Sequence, residues 1–175
     1  QAVAGLFGGR GKFLRGGEAT KAQLRAAWKG RRYLHFATHG RLNENVPLYS
    51  AVLLAQEGGR DEGLLFGRDL LEEDLDSELV VLSACQTALG KRANGEGLLG
   101  MTWAWFVAGV PSTVASQWPV ADDSTARLME EFYKALQGGM SKAEALRRAQ
   151  LALLKERKTR HPYYWAPFVL NGDPW

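Results

Sequence analysis

Leu79-Val-Val-Leu-Ser-Ala-Cys-Gln-Thr87 is the stretch on which the architecture turns. Its first four residues are continuously apolar and β-branched at the centre, with no polar alternation. Such a run reads as a strand buried on both faces, the kind a parallel sheet uses. It ends just before Cys85, the single cysteine of the chain. Upstream, Arg32-Tyr-Leu-His-Phe-Ala37 has the same character, and Ala51–Ala55, Ser112–Gln117 and Trp165–Leu170 are further candidate strands. Helical patterns fall between them. Thr20 caps a helix over Lys21–Lys29, with Leu24 and Trp28 on one face and Gly30 as its stop. Gly97–Ala108 reads as a helix apolar nearly all round, which predicts deep burial. A helix from about Asp123 to Gln137 places Leu128, Phe132 and Leu136 on one stripe, and Ser141-Lys-Ala-Glu144 is a capping box that opens another. Strands alternating with helices predict an α/β layer sandwich with a mainly parallel central sheet.

The chain has 175 residues, of which 46% are hydrophobic and 23% charged. That is enough for one domain with its own core, and it excludes disorder and collagen-like or low-complexity scaffolds. One cysteine excludes an internal disulfide framework, and no metal or other cofactor is expected. The net charge of +3 hides an asymmetry. Residues 1–41 carry nine basic against one acidic side chain, residues 42–141 six against fifteen, and residues 142–175 seven against three. Nucleic acid is not expected as a partner, because a concentrated basic face would be its footprint. No apolar run approaches the roughly 20 residues that span a bilayer, so the chain reads as soluble, cytoplasmic and without a membrane partner. Residues 1–19 are Gly-rich and aperiodic and begin with Gln1, which reads as a segment of a longer chain. Residues 20–175 read as the domain proper.

In an open parallel sheet, chemistry sits beyond the carboxyl ends of the strands. Two reactive residues occupy that position: His39 in Ala37-Thr-His-Gly40, and Cys85. Adjacent strands would present an imidazole and a thiol side by side. A free thiol has a pKa of about 8.5, so a neighbouring imidazole helps as base or as stabilising cation. Gly40, without a Cβ, lets a substrate carbonyl approach backbone N–H groups that would stabilise an oxyanion.

Four linked motifs then make a resemblance specific: Tyr33-Leu-His-Phe-Ala-Thr-His-Gly40, Leu79-Val-Val-Leu-Ser-Ala-Cys-Gln-Thr-Ala88, Gly95-Glu-Gly-Leu-Leu-Gly100 and Val114-Ala-Ser-Gln-Trp-Pro-Val-Ala-Asp122. With the closing Trp165-Ala-Pro-Phe-Val-Leu-Asn-Gly-Asp-Pro174, they resemble the CHAT domain, a caspase-like peptidase domain often found after tetratricopeptide repeats. The resemblance implies a caspase-hemoglobinase-like three-layer sandwich and a cysteine endopeptidase with His39 and Cys85 as its dyad. It also implies an oxyanion hole from the N–H groups of Gly40 and Cys85. In separase-like members an acidic residue after a Trp-x-Val stretch receives a basic P1 side chain, which points to Asp122, with Asp123 adjacent. The acidic middle segment favours the same substrates. The caspase signature Gln-Ala-Cys-Arg-Gly is absent, because Ser83 and Thr87 stand at its first and last positions, so aspartate specificity is not expected. Implied partners are a protein or peptide substrate and an upstream domain or tetratricopeptide-repeat partner, with homo-oligomerisation left open. The alternative is a latent or inactive interaction module in a signalling or defence assembly, with Leu42–Ser50 and Gln86–Gly95 as loops that need ordering.

Other motifs carry less. Gly95-x-Gly-x-x-Gly100 fits a dinucleotide fingerprint but lies about ten residues beyond its strand, so close helix packing is the expected role. His35-x-x-x-His39 has zinc-helix spacing, but it reads as strand and Phe36 replaces the catalytic Glu. His35 is expected in the core or behind the dyad.

Overall fold

The computed structural model describes residues 2–58, 62–83, 96–119 and 121–175. The elements are α1 (Ala2–Leu6), α2 (Lys21–Trp28), β1 (Tyr33–Phe36), β2 (Gly40–Arg41), β3 (Ala51–Leu53), β4 (Leu64–Phe66), β5 (Leu79–Leu82), α3 (Glu96–Val107), β6 (Ser112–Ser116), α4 (Asp122–Gln137), α5 (Lys142–Lys155) and β7 (Phe168–Gly172). The central sheet has the order β1-β5-β6-β7, and β2-β3-β4 form a small sheet of their own. β5 lies parallel to both β1 and β6, while β7 closes the sheet antiparallel to β6. The β2-β3-β4 sheet is antiparallel throughout.

The apolar run 79–82 sits in mid-sheet because both of its faces are covered. Val80 and Leu82 point into a core with Trp28, Leu34, Phe36, Met101 and Trp105, which α2 and α3 close. Leu79 and Val81 point into a second core with Leu128, Phe132, Leu146 and Leu153, which α4 and α5 close. Two-residue alternation thus separates the two layers even where every residue is apolar. Thr20 accepts from the Gln23 N–H at the start of α2, and Ser141 and Glu144 form the reciprocal cap of α5.

Three sequence expectations need correction. α3 is not buried all round: Leu99, Trp103, Phe106 and Val107 are 58, 51, 37 and 45% exposed. These positions form one stripe, while Gly97, Met101, Ala104 and Trp105 form the buried face. Hydrophobicity alone could not separate the two faces, because both are apolar. The last strand lies at Phe168–Gly172, not Trp165–Leu170, because Pro162–Tyr164 forms a 3-10 turn and Pro167 supplies only a carbonyl, which the Gln117 N–H bonds at 3.0 Å. The aperiodic N-terminus contains α1, whose Val3 and Leu6, with Phe7, pack on the α4–α5 core.

Candidate active site

The carboxyl end of β1 is tied down on the side of the small sheet. The Thr38 hydroxyl donates to the Leu53 carbonyl at 2.7 Å, and the Leu53 N–H donates to the His39 carbonyl at 2.8 Å. That second bond makes Gly40 and Val52 a non-hydrogen-bonded pair in the β2–β3 register, so the Gly40 N–H points out of the ladder. His39 is exposed above a small cleft with an apolar floor of Phe36, Leu42, Val52, Leu82 and Met101. The glycine-rich entry to α3 is tight: a Cβ on Gly97 would lie 3.1 Å from the Asn43 nitrogen, and one on Gly100 would lie 2.9 Å from the Pro47 carbonyl carbon. Close packing is therefore the role of Gly97 and Gly100. Gly95 lies outside the described residues.

On the neighbouring strand, Leu82 is the register partner of Phe36, and the Ser83 N–H donates to the Phe36 carbonyl at 3.0 Å. His39 and Cys85 each follow three positions after that register pair in sequence. Cys85, its N–H and the loop Gln86–Gly95 lie outside the described residues. On the third parallel strand, β6 ends at Ser116, and α4 opens with Asp122 and Asp123 in its first turn. Both carboxylates are exposed, and the N-cap position is taken by Ala121. Their charge suits the positive end of the helix dipole. The Trp118 indole N–H before them donates to the Tyr163 carbonyl at 3.1 Å, which anchors the loop.

The two histidines of His35-x-x-x-His39 do not converge, because β1 ends between them at Phe36. His35 faces the α4 layer, where Nδ1 lies 3.0 Å from the Tyr133 hydroxyl and Nε2 lies 3.1 Å from Ser83 Oγ. Packing there lowers its pKa to about 4, by desolvation of the cation, although one edge of the residue stays accessible. No local sequence pattern distinguishes Tyr133 from its neighbours in α4. Among the described residues no group of three or more His, Cys, Asp and Glu side chains is placed to hold a metal ion. Nor is any helix among them long and apolar enough to cross a membrane.

The family model that describes the CHAT domain matches residues 1–173. Tetratricopeptide repeat protein 28 of mouse is 34% identical to the chain over 112 residues, and the human protein of that name is 32% identical over the same length. Each match covers 64% of this chain and only 4% of the much longer relative. With a mainly parallel central sheet, and a family match that runs nearly end to end, the chain belongs to the CHAT domain family, whose fold is caspase-like.

Proposed function

We propose that this domain is a cysteine endopeptidase that cleaves a protein substrate after a basic P1 residue. The observation that carries the reading is the register: Phe36 pairs with Leu82 on adjacent parallel strands, and His39 and Cys85 each stand three residues further on. The Cys85 thiol gives its proton to His39, and the sulfur attacks the scissile carbonyl carbon. A C–S bond forms while the carbonyl oxygen takes the negative charge. The Gly40 N–H, free of the β2–β3 ladder, and the Cys85 N–H receive that oxyanion. The C–N bond then breaks as the imidazolium protonates the departing amine. Water, deprotonated by the same imidazole, hydrolyses the thioester and regenerates the thiol.

Asp122, with Asp123 beside it, is the proposed receptor of the basic side chain. β6 is the next parallel strand after β5, so its carboxyl end opens on the same edge of the sheet. A carboxylate pair exposed in the free protein is accessible to an incoming guanidinium, which bonds it in bidentate fashion. Association with a tetratricopeptide-repeat segment, in the same polypeptide or a partner, belongs to this proposal and is supported by the names of the relatives.

A proteome-derived peptide library with product identification by mass spectrometry tests both parts. Cleavage after Arg and Lys is expected. Cys85→Ala abolishes it, and Asp122→Asn lowers kcat/KM for Arg substrates about 10- to 100-fold, the scale of one charge-assisted hydrogen bond. Equal cleavage after Arg, Leu and Asp rejects the specificity. Undiminished activity of Cys85→Ala rejects the dyad.

A further inference from the structure

His35 sits behind the strand ends from which the proposed dyad departs, and its hydrogen bonds have only one consistent direction. Ser83 Oγ lies 3.2 Å from the Phe36 carbonyl, an acceptor only, so the hydroxyl proton points there. Ser83 Oγ is then an acceptor toward His35, which puts the imidazole proton on Nε2. Nδ1 is left as an acceptor, and the fully buried Tyr133 hydroxyl donates to it. With the opposite direction, the Tyr133 proton would have no partner among the described residues, a costly state for a buried donor. The chain of bonds therefore runs from α4 through β1 and β5 and back to the β1 backbone.

We propose that Tyr133, His35 and Ser83 form a polar clamp that fixes the carboxyl ends of β1 and β5 relative to one another, making His35 a positioning residue for the His39–Cys85 pair. The inference rests on the peptidase reading above for the identity of that pair. It does not rest on it for the clamp itself. Ser83, one residue beyond β5, carries the last N–H bonded to β1 among the described residues and lies two residues before Cys85 in sequence, so slack there is passed toward the nucleophile. Burial keeps the imidazole neutral at physiological pH, which preserves its one donor and one acceptor.

The test uses the whole chain with His35→Gln, His35→Phe and Ser83→Ala. It reads hydrogen exchange of the Ser83 amide, the rate of Cys85 alkylation by iodoacetamide, and kcat and KM on a cleaved peptide. Gln supplies one donor and one acceptor, so His35→Gln is expected within about threefold of wild type. His35→Phe and Ser83→Ala each leave a buried polar group unpartnered. They are expected to speed exchange and to slow alkylation and kcat by about tenfold, with KM nearly unchanged. If His35→Phe does not fold, Ser83→Ala, which removes one hydroxyl, answers the same question. Wild-type exchange and alkylation in folded His35→Phe or Ser83→Ala overturn the clamp. So does a His35→Gln variant as impaired as His35→Phe. The peptidase reading fails separately, if alkylation of the wild-type thiol is indifferent to His39→Ala; the Ser83 amide then decides the clamp alone.

Discussion

Burial holds the His35 imidazole at a pKa of about 4, against 6.5 for an ordinary histidine. The groups facing it are Tyr133, whose pKa burial raises, and Tyr33, 6.0 Å from the Tyr133 ring and also raised by burial; neither titrates in acid. Between pH 4 and 6.5 the unfolded chain binds a proton at this position that the folded chain refuses. The stability tied to the neutral ring is therefore complete above about pH 6.5 and is lost as the pH falls toward 4, by on the order of 3 kcal/mol in all. Urea unfolding at intervals from pH 7.5 to 4 checks this. Wild type should lose stability across that window more steeply than His35→Gln, and equal slopes would reject the assignment. At this scale the sequence reveals His35 as a histidine inside an apolar run, expected in the core or behind the proposed dyad. Its partner Tyr133 lies 98 residues away, a distance that no local pattern spans.

α3 shows how far elements can be read from pattern. Its existence and bounds follow from an apolar run opened by glycines, since Glu96–Val107 nearly matches the expected Gly97–Ala108. Which face is buried does not, because Leu99 and Trp103 look no different in sequence from Met101 and Trp105. The glycines settle the orientation: only the side lacking side chains can approach Pro47 and the backbone at Asn43. A methyl at position 100 must displace Pro47, so Gly100→Ala is expected to lose about 1–3 kcal/mol despite the better helix propensity of alanine. Gly17→Ala, with nothing within 4 Å of the added carbon, serves as the control and should stay within about 0.5 kcal/mol. Chemical denaturation of the two variants decides it, and a Gly100→Ala protein as stable as wild type would mean that the helix is not seated there. The strand β5 is legible because double burial writes a continuous apolar run, while β1 shows through its aromatic and apolar residues and β6 through its β-branched centre. β2, two residues long, is too short to carry a readable period.

Across the whole molecule, the central sheet separates two cores, and the segment before residue 20 belongs to one of them. Val3, Leu6 and Phe7 cover the α4–α5 core, the Phe7 ring meets Tyr133 edge-on at 5.6 Å, and the Gln137 amide donates to the Leu6 carbonyl at 3.0 Å. Sequence periodicity misses this contact because five helical residues are too few to show a stripe. The same Tyr133 hydroxyl lies 3.0 Å from His35 Nδ1, so the N-terminus bears on the proposed clamp behind the proposed dyad as well as on stability. Deleting residues 1–14 exposes three apolar side chains' worth of surface and removes two aromatic pairs, Phe7 with Tyr33 and with Tyr133, about 2–4 kcal/mol. For a domain of this size that lowers the midpoint of thermal unfolding by roughly 5–15 °C. Loosening around Tyr133 should also speed exchange of the Ser83 amide, more than Phe7→Ala alone does. Calorimetry and hydrogen exchange on the deleted protein check the two parts together. An unchanged midpoint would make residues 15–175 a self-sufficient unit, and a lowered midpoint with an unchanged Ser83 amide would confine the N-terminus to covering the core.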